Sequence, residues 1–228
     1  GPLALPLRFL DTDLVPTRLH AHLARPQPDA LCFYRRHSHA VLRADELILP
    51  RPFVKAADCG SPVLALPPGI EDADSVVLFI PDESDRSLQL LVEVEWLDPR
   101  ADARADRLLI YHARADNHSI ALLRVLDAKW PDAVDHAPEV DPSAFIVPNP
   151  FARLEPSLCK RLNADRAALA HMVTSLASFT PFDPLVVGVD PDGLDLRTRT
   201  GILRLEFAER VDEPALRAAL DAWLAPTA

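Results

Sequence analysis

The sequence predicts an α+β protein in which an antiparallel β-barrel or sandwich precedes a smaller unit of helices and strands. Between about residues 30 and 130, short apolar runs are separated by Pro, Asp and Gly, a pattern typical of antiparallel strands. These runs are ALCFYRR, HAVLRADELIL, PVLAL, SVVLFI, LQLLVEVEW, DRLLIYHA and SIALLRVLDAKW. No long helical pattern separates them, so a parallel βαβ array is not expected. After a Pro- and Asp-rich connector that follows residue 130, apolar residues recur every three to four positions, which indicates helices.

One strand in the first region shows its two faces in the sequence. Val92, Val94 and Trp96 alternate with Glu93 and Glu95. This alternation predicts a half-buried strand with one face in water. The 23 prolines of the chain agree with an antiparallel architecture, because proline is tolerated at strand edges and between strands.

The second region begins with a predicted helical hairpin or a single broken helix. Leu154, Leu158 and Leu162 repeat every four residues. Asn149 is the expected N-cap, with Pro150 in the first helical position.

Three predicted strands and a last helix complete the second region. The strands are PLVVGVD, DGLDLRTR and ILRLEF, and the segment DPDG at residues 190–193 has Pro, Asp and Gly where a β-turn favours them. The final segment, DEPALRAALDAWL, predicts an amphipathic helix capped by Asp212. A further short helix is expected near the N-terminus, over residues 16–24.

The composition argues against several classes of protein. Net charge is −10, with 24 basic and 34 acidic residues interleaved along the chain, which opposes nucleic-acid binding and anionic membrane surfaces. No apolar run approaches the roughly 20 residues of a transmembrane helix, and no secretory pattern is present, so we expect a cytoplasmic protein. The six glycines are too widely spaced for a phosphate-binding loop. The three cysteines form no CxxC pair, which argues against a structural zinc site.

The second region resembles a known family. LNAD, VVGVDPDGLDLRT, ILRLEF and DEPALRAALDAWL follow one another as in the C-terminal domain of HugZ-type heme-utilisation proteins, over about residues 138–225. The same domain occurs in the plant glutamyl-tRNA-reductase-binding protein. The stretch EVDPSAFIVPNPFARLEPSLCKRLNADRAAL particularly resembles an actinobacterial group of this family.

The resemblance implies an architecture and a cofactor. It implies that residues 12–135 form a split β-barrel of the FMN-binding kind found in pyridoxamine 5'-phosphate oxidases. Residues 140–226 would then form the small α+β domain, with two helices, three strands and a C-terminal helix. It further implies a homodimer, and a barrel that in HugZ-type members binds heme instead of FMN. FMN itself is not expected here, because the sequence shows no phosphate site for it.

One motif of that family is altered in this chain. The family often has His-Met-Asn-x-Asp-His, whereas residues 161–166 are RLNADR, with Arg161 and Arg166 in the histidine positions. Arginine has no lone pair for a metal, so these two positions cannot ligate iron. Asn163 and Asp165 remain, and a local role, a kink with Asp165 capping the second helix, is favoured over ligand binding. If the arginines are functional, one of them should face inward and pair with a carboxylate, and otherwise both should be exposed.

The remaining histidines supply the candidate site. Arg35 and Arg36 beside His37 and His39 form a compact cationic patch that suits a carboxylated ligand, with arginines for propionates and His37 or His39 for iron. The alternative is a solvated hairpin end. Two further candidates flank the segment ARADN at the expected barrel mouth, namely His112 and His118.

Two functions from different classes follow. The first is a heme-binding protein of heme or iron homeostasis without robust oxygenase activity, because the motif histidines are lost. The second is a ligand-free interaction or regulatory module that docks a partner protein, as the role of the plant relative suggests. The sequence leaves open whether the protein is an enzyme and favours a binding role.

Overall fold

A computed structural model describes residues 7–10, 30–84, 86–112, 119–130, 139–176, 182–207 and 209–223 of the chain. They divide into two compact units: a barrel unit between residues 18 and 148, and a C-terminal unit that joins residues 7–10 to the chain from residue 149 onward. In chain order the elements are β1 (Leu7–Leu10), α1 (Ala30–Arg36), β2 (His39–Ala44), β3 (Leu47–Lys55), β4 (Pro62–Leu66), β5 (Val76–Ile80), β6 (Leu88–Trp96), α2 (Ala103–Tyr111), β7 (Ser119–Lys129), α3 (Glu155–Leu162), α4 (Arg166–Leu176), β8 (Leu185–Asp190), β9 (Gly193–Arg197), β10 (Ile202–Phe207) and α5 (Glu213–Trp223). The helix expected over residues 16–24 lies outside the described residues. Within the described ranges, no helix has the length and apolarity to cross a bilayer.

The barrel unit confirms the predicted α+β class with a barrel. Six antiparallel strands close in the order β2-β3-β4-β7-β6-β5. Fully buried side chains from these strands form its core, among them Leu42, Leu64, Leu78, Leu90 and Leu123. The barrel core is therefore built from the protein's own apolar side chains, as in small barrels generally.

Two runs that the sequence analysis assigned to strands are helices. ALCFYRR forms α1, in which Ala30 and Tyr34 are buried at a spacing of four. DRLLIYHA lies mostly within α2, where Ala105, Leu108 and Tyr111 are buried at spacings of three. In α2 the side chain of Asp102 accepts a hydrogen bond from the backbone nitrogen of Arg104 and caps the first turn. Both strand assignments were wrong, because a short apolar run fits either period and burial at i, i+3 or i+4 decides between them.

The other strand predictions hold, with one division. HAVLRADELIL is a hairpin of β2 and β3 instead of one strand, and Asp45 at its turn has a positive φ of 50°. Such a φ suits Asp, whose short polar side chain tolerates the left-handed region. In β6 the predicted alternation is observed, since Val92 is buried while Glu93 and Glu95 are exposed.

The C-terminal unit contains the predicted order of two helices, three strands and a last helix. Its sheet has the order β1-β10-β9-β8, so β1, which the sequence analysis did not predict, pairs with β10. The turn at residues 190–193 joins β8 to β9 as expected, and Asp190 Oδ1 accepts from the backbone nitrogen of Asp192 at 2.8 Å. Asp212 caps α5 as expected, accepting from the backbone nitrogen of Ala215 at 2.9 Å.

The start of the first C-terminal helix differs from the prediction. Asn149 Oδ1 accepts from the backbone nitrogen of Phe151, but residues 150–154 form turns and α3 begins only at Glu155. Pro156 lies in the first turn of α3, which is the place expected for Pro150. Asn149 also donates from Nδ2 to the carbonyl of Val189 on β8 at 2.8 Å. Its amide therefore ties the connector to the sheet instead of capping a helix.

Candidate functional site

The candidate site is a basic cluster in the barrel unit, made of His37, His39, Lys55, Arg107 and His112. The end of β3 organises it through backbone carbonyls. The Nε2 atom of His112 lies 3.2 Å from the carbonyl oxygen of Phe53, and Arg107 Nε donates to the carbonyl of Lys55 at 2.9 Å. Because these acceptors belong to a strand of the closed barrel, both side chains are held by a rigid element.

Lys55 connects β3 to the end of α1. Its Nζ donates to the carbonyl of Arg35 at 3.1 Å and to that of His37. The same ammonium lies 4.9 Å from the ring centroid of Phe53 and 5.7 Å from that of Tyr34. Aromatic faces attract a cation, and carbonyls at a helix C-terminus favour positive charge. These contacts fix a positive charge at the centre of the cluster.

Two of the predicted histidines come together. The rings of His39 and His112 are edge to face with centroids 5.8 Å apart. The Nδ1 atom of His39 lies 3.2 Å from the hydroxyl of Ser38, so a hydrogen bond to this hydroxyl orients the ring. A carbonyl oxygen can only accept, so the contact with Phe53 places the hydrogen of His112 on Nε2.

His37 lies in different surroundings. Its ring packs on Phe33, with centroids 4.7 Å apart. Burial, followed by the charges of Lys55 and Arg36, lowers the pKa of His37 to about 4, and the carboxylate of Asp82 opposes this only in part. The imidazole is therefore neutral at pH 7, which is the form that binds a metal.

The lowered pKa of His37 leads to a prediction about stability. In the unfolded chain its pKa returns to about 6.5, so below that pH the unfolded state takes up a proton that the folded state refuses. Stability is fully present above pH 6.5 and is lost as the pH falls toward 4. The expected contribution to this loss is about 2 kcal/mol between pH 7.5 and pH 5.

Urea unfolding of the wild type and of His37→Gln across this pH range measures the effect. The variant lacks the titrating ring, so its stability should fall less steeply by about that amount. Parallel pH dependences for the two proteins would contradict the assignment. His171→Gln is the matched control, because His171 is exposed on α4.

The cationic patch is arranged differently from the expectation. Arg35 and Arg36 end a helix, and His37 lies between α1 and β2 while His39 opens β2. The two histidines therefore do not share one strand face, and their rings have different neighbours. His118 lies outside the described residues. Among the residues that are described, no group of three or more His, Cys, Asp or Glu side chains is arranged to hold a metal ion.

Lys55 and Arg107 are the members of the cluster that the sequence analysis missed. Lys55 ends a strand and Arg107 lies on a helix that was assigned to a strand. A helical interpretation of DRLLIYHA would have placed Arg107 and Tyr111 on one face, four residues apart. In the structure Arg107 Nη2 donates to the hydroxyl of Tyr111 at 3.0 Å. That periodicity is the one sequence signal for this part of the site.

The altered motif forms a corner in the C-terminal unit. Asn163 Nδ2 donates to the carbonyl of Val186 at 2.8 Å, and its Oδ1 accepts from the backbone nitrogen of the same residue at 2.9 Å. Asp165 Oδ1 accepts from the backbone nitrogen of Ala168 at 2.9 Å, in the first turn of α4. The local role expected for both residues is therefore observed, with a tie from Asn163 to β8 in addition.

The two arginines of the motif follow neither expectation completely. The side chains of Arg161 and Arg166 are 44% and 42% exposed, so neither is buried. Each nevertheless pairs with a carboxylate, Arg161 with Asp221 and Arg166 with Asp183. If the arginines have no function, both were expected to be exposed. If they are functional, one of them was expected to face inward and pair with a carboxylate.

Comparisons with known proteins bear on the fold. No family model matches the chain, and no curated protein matches it. Among solved structures it is similar to a protein of unknown function from Agrobacterium tumefaciens, with 20% identity, a TM-score of 0.58, and coverage of 83% of this chain and 91% of that one. A heme binding protein from Mycobacterium smegmatis is similar with 18% identity and a TM-score of 0.39, over 87% of this chain and 97% of that one. The first similarity shows a shared fold.

Proposed function

We propose that this protein binds heme at the basic cluster of the barrel unit and is not a robust oxygenase. The observation that carries the proposal is the approach of the rings of His39 and His112 to within 5.8 Å, beside Lys55 and Arg107. Heme binding in proteins combines an imidazole for the iron with cations for the propionates. This is the chemistry that the resemblance to HugZ-type proteins implies.

We assign the iron ligand to His39. A ligating histidine usually has its other ring nitrogen hydrogen-bonded, which sets the tautomer and the ring orientation. The Ser38 hydroxyl lies 3.2 Å from Nδ1 and can make that bond. In this assignment the hydroxyl accepts from Nδ1, which leaves the lone pair on Nε2 for the iron. In His112 the contact with Phe53 places the hydrogen on Nε2, so this ring serves as an orienting neighbour.

Two cations take the propionates in this proposal. Lys55 is fixed by carbonyls of α1 and the loop after it, and Arg107 by the carbonyl of Lys55 and by Tyr111. Arg35 and Arg36 add positive charge at the end of α1. Since the barrel core is filled by its own side chains, the porphyrin lies outside that core.

A hemin titration tests the proposal. We expect saturable one-to-one binding with a Soret band, and an affinity at least about tenfold lower for His39→Ala, because a lost iron ligand changes the binding free energy by more than 1.4 kcal/mol. His112→Ala should shift the band through the altered orientation of His39. The control is His171→Ala, in the other unit, which should behave as the wild type. Featureless absorption, or equal affinities for all three variants, would rule the site out.

The limited oxygenase activity has its own readout. Arg161 and Arg166 stand where the family motif has histidines, and arginine offers no lone pair to iron. When hemin-loaded protein is given a reductant and oxygen, we expect the Soret band to persist over the time that a heme oxygenase needs to bleach it. Rapid appearance of a biliverdin-type product would contradict this part of the proposal.

Docking of another protein chain is the second candidate. Leu91 and Leu126, on the neighbouring strands β6 and β7, are 38% and 51% exposed. Leu91 pairs with Asp127 and Val92 with Val125, so Leu126 is the extra residue of a bulge on β7. Exposed leucines on adjacent strands suit a homodimer, which the family resemblance also implies. Light scattering should give twice the chain mass, reduced to one chain by Leu91→Glu with Leu126→Glu. A mass of one chain for the wild type would exclude the dimer.

A further inference from the structure

A cavity of about 400 Å³ lies in the C-terminal unit, far along the sequence from the basic cluster. Its lining residues come from the start of α4, the segment before β8 and the end of β9: Arg166, Phe182, Asp183, Leu185, Arg197, Thr198 and Arg199. This volume falls within the ~300–1,000 Å³ range of small-molecule sites.

The cavity is positively charged in an acidic protein. Three guanidinium groups and one carboxylate line it, whereas the chain as a whole carries −10. The carboxylate, Asp183, is paired with Arg166, and both side chains are exposed. Such an exposed pair is weak in water, so an anion with several oxygens can compete for Arg166. The guanidinium fork matches phosphate oxygens in a bidentate geometry better than an ammonium does.

An aromatic side chain stands beside these charges. Phe182 is 66% exposed, and the guanidinium carbon of Arg199 lies 5.2 Å from the centroid of its ring. An exposed phenylalanine in contact with a guanidinium presents a flat surface on which a planar ring can stack. The cavity therefore combines an anion site with a stacking surface.

The walls of the cavity are held by the backbone. The hydroxyl of Thr198 accepts a hydrogen bond from the backbone nitrogen of Thr200 at 3.3 Å and donates one to the carbonyl of Gly201 at 3.0 Å. The backbone nitrogen of Thr198 also donates to the carbonyl of Gly201, at 2.8 Å. These hydrogen bonds fix the turn that carries Arg197 and Arg199. Arg166, another lining residue, opens α4, and Asn163 three residues before it is hydrogen-bonded to Val186 on β8.

We propose that this cavity is a binding site for a small phosphate monoester with a planar ring, of the nucleoside monophosphate class. The phosphate is bound by Arg197 and Arg199 with Arg166, and the ring stacks on Phe182. Asp183, released from Arg166, accepts hydrogen bonds from the sugar hydroxyls. In this assignment the RLNADR motif acts as a positioning device that brings Arg166 to the wall of an anion site.

Isothermal titration of the intact protein with AMP, GMP, CMP and UMP tests the site. At least one of them should bind one to one, with a Kd below about 1 mM at low salt. The nucleoside of that nucleotide and inorganic phosphate should each bind at least about tenfold more weakly than the nucleotide itself, because each lacks one of the two contacts. Added salt should weaken binding of the nucleotide, since the attraction is between charges near the surface.

Three substitutions and a control localise the binding. Arg199→Gln and Arg166→His should lower the affinity at least about tenfold, and Phe182→Leu should lower it several-fold by removing the stacking surface. Arg217→Gln is the control, because Arg217 is an equally exposed arginine paired with Glu213 on α5. Melting temperatures check that each variant is folded.

Several outcomes would overturn the proposal. These are no saturable binding of any of the four nucleotides, equal affinities for the bound nucleotide and its nucleoside, or a loss for Arg217→Gln as large as for Arg199→Gln. Equal affinities for the bound nucleotide and inorganic phosphate would show that the ring makes no contact and that the site is a general anion site. Hemin binding is assigned to the other unit and is followed by the Soret band, whereas nucleotide binding is measured as heat, so the two proposals fail independently.

Discussion

Replacing Arg204 with methionine is expected to lower the free energy of unfolding of the C-terminal unit by about 3–5 kcal/mol, because it leaves the buried carboxylate of Asp195 and the largely buried one of Asp190 without their cation. Arg204 on β10 is 2% exposed. Its Nη2 donates to both oxygens of Asp190 at 2.7 and 2.9 Å, and its Nη1 donates to Asp195 at 2.9 Å. Burial alone would lower the pKa of Arg204, but the two carboxylates raise it well above its ordinary value, so the guanidinium stays charged.

Denaturant unfolding followed by circular dichroism measures this loss. Arg161→Met is the matched control, since Arg161 forms an ion pair with Asp221 in the same unit, but the two side chains are 44% and 66% exposed. The control should change stability by no more than about 0.5 kcal/mol, because water already screens that pair. Comparable losses of stability for the two variants would show that the ion pairs of Arg204 with Asp190 and Asp195 do not stabilise the sheet.

The importance of Arg204 was not visible in the sequence for a physical reason. In ILRLEF the arginine alternates with leucines, and alternation predicts that it faces water. In the structure Leu203, Arg204 and Leu205 are all buried. Alternation reports a wet face only where one side of the sheet is open, and here both faces of β10 are covered at this point.

The fold was predictable where local signals were strong and agreed with one another. The Val and Glu alternation of β6, the Asp-Pro-Asp-Gly turn and the Asp212 cap each have a local cause, and each is observed. The two helices that were predicted as strands, α1 and α2, are short segments in which apolar residues are consecutive. In those segments the tertiary contacts of Tyr34 and Leu108 decide the structure, and the order of residues does not contain them.

The candidate site was predictable as residue types and not as an arrangement. His37, His39 and His112 were singled out as histidines near basic residues or strand ends. Their grouping depends on which elements meet: β2 and the end of α2 bring His39 to His112, while His37 packs on Phe33. Closure of the barrel brings these elements together by pairing strands that are far apart in the sequence. Composition and residue spacing do not predict that pairing.

The last prediction concerns a backbone contact in the barrel unit. Gly60→Ala is expected to lower the free energy of unfolding by about 3 kcal/mol or more, from left-handed backbone strain together with overpacking. Gly60 has a φ of +83°, and a Cβ there would lie 2.4 Å from the carbonyl oxygen of Val147 and 2.6 Å from its nitrogen. The backbone carbonyl of Gly60 also accepts a hydrogen bond from the buried hydroxyl of Tyr34 at 2.8 Å, so the glycine cannot move away without breaking that bond.

Gly69→Ala separates the two causes of this loss. Gly69 has nearly the same φ, +89°, but no described atom lies within 4 Å of where its Cβ would be. It should therefore show only the cost of the left-handed conformation, about 1–2 kcal/mol. Thermal and urea unfolding of both variants give the difference between their losses of stability. That difference measures the close approach of the backbone at Gly60 to the backbone at Val147. Equal losses for the two variants would mean that the backbone at Val147 moves to accommodate a methyl group, and that the close approach does not stabilise the barrel unit.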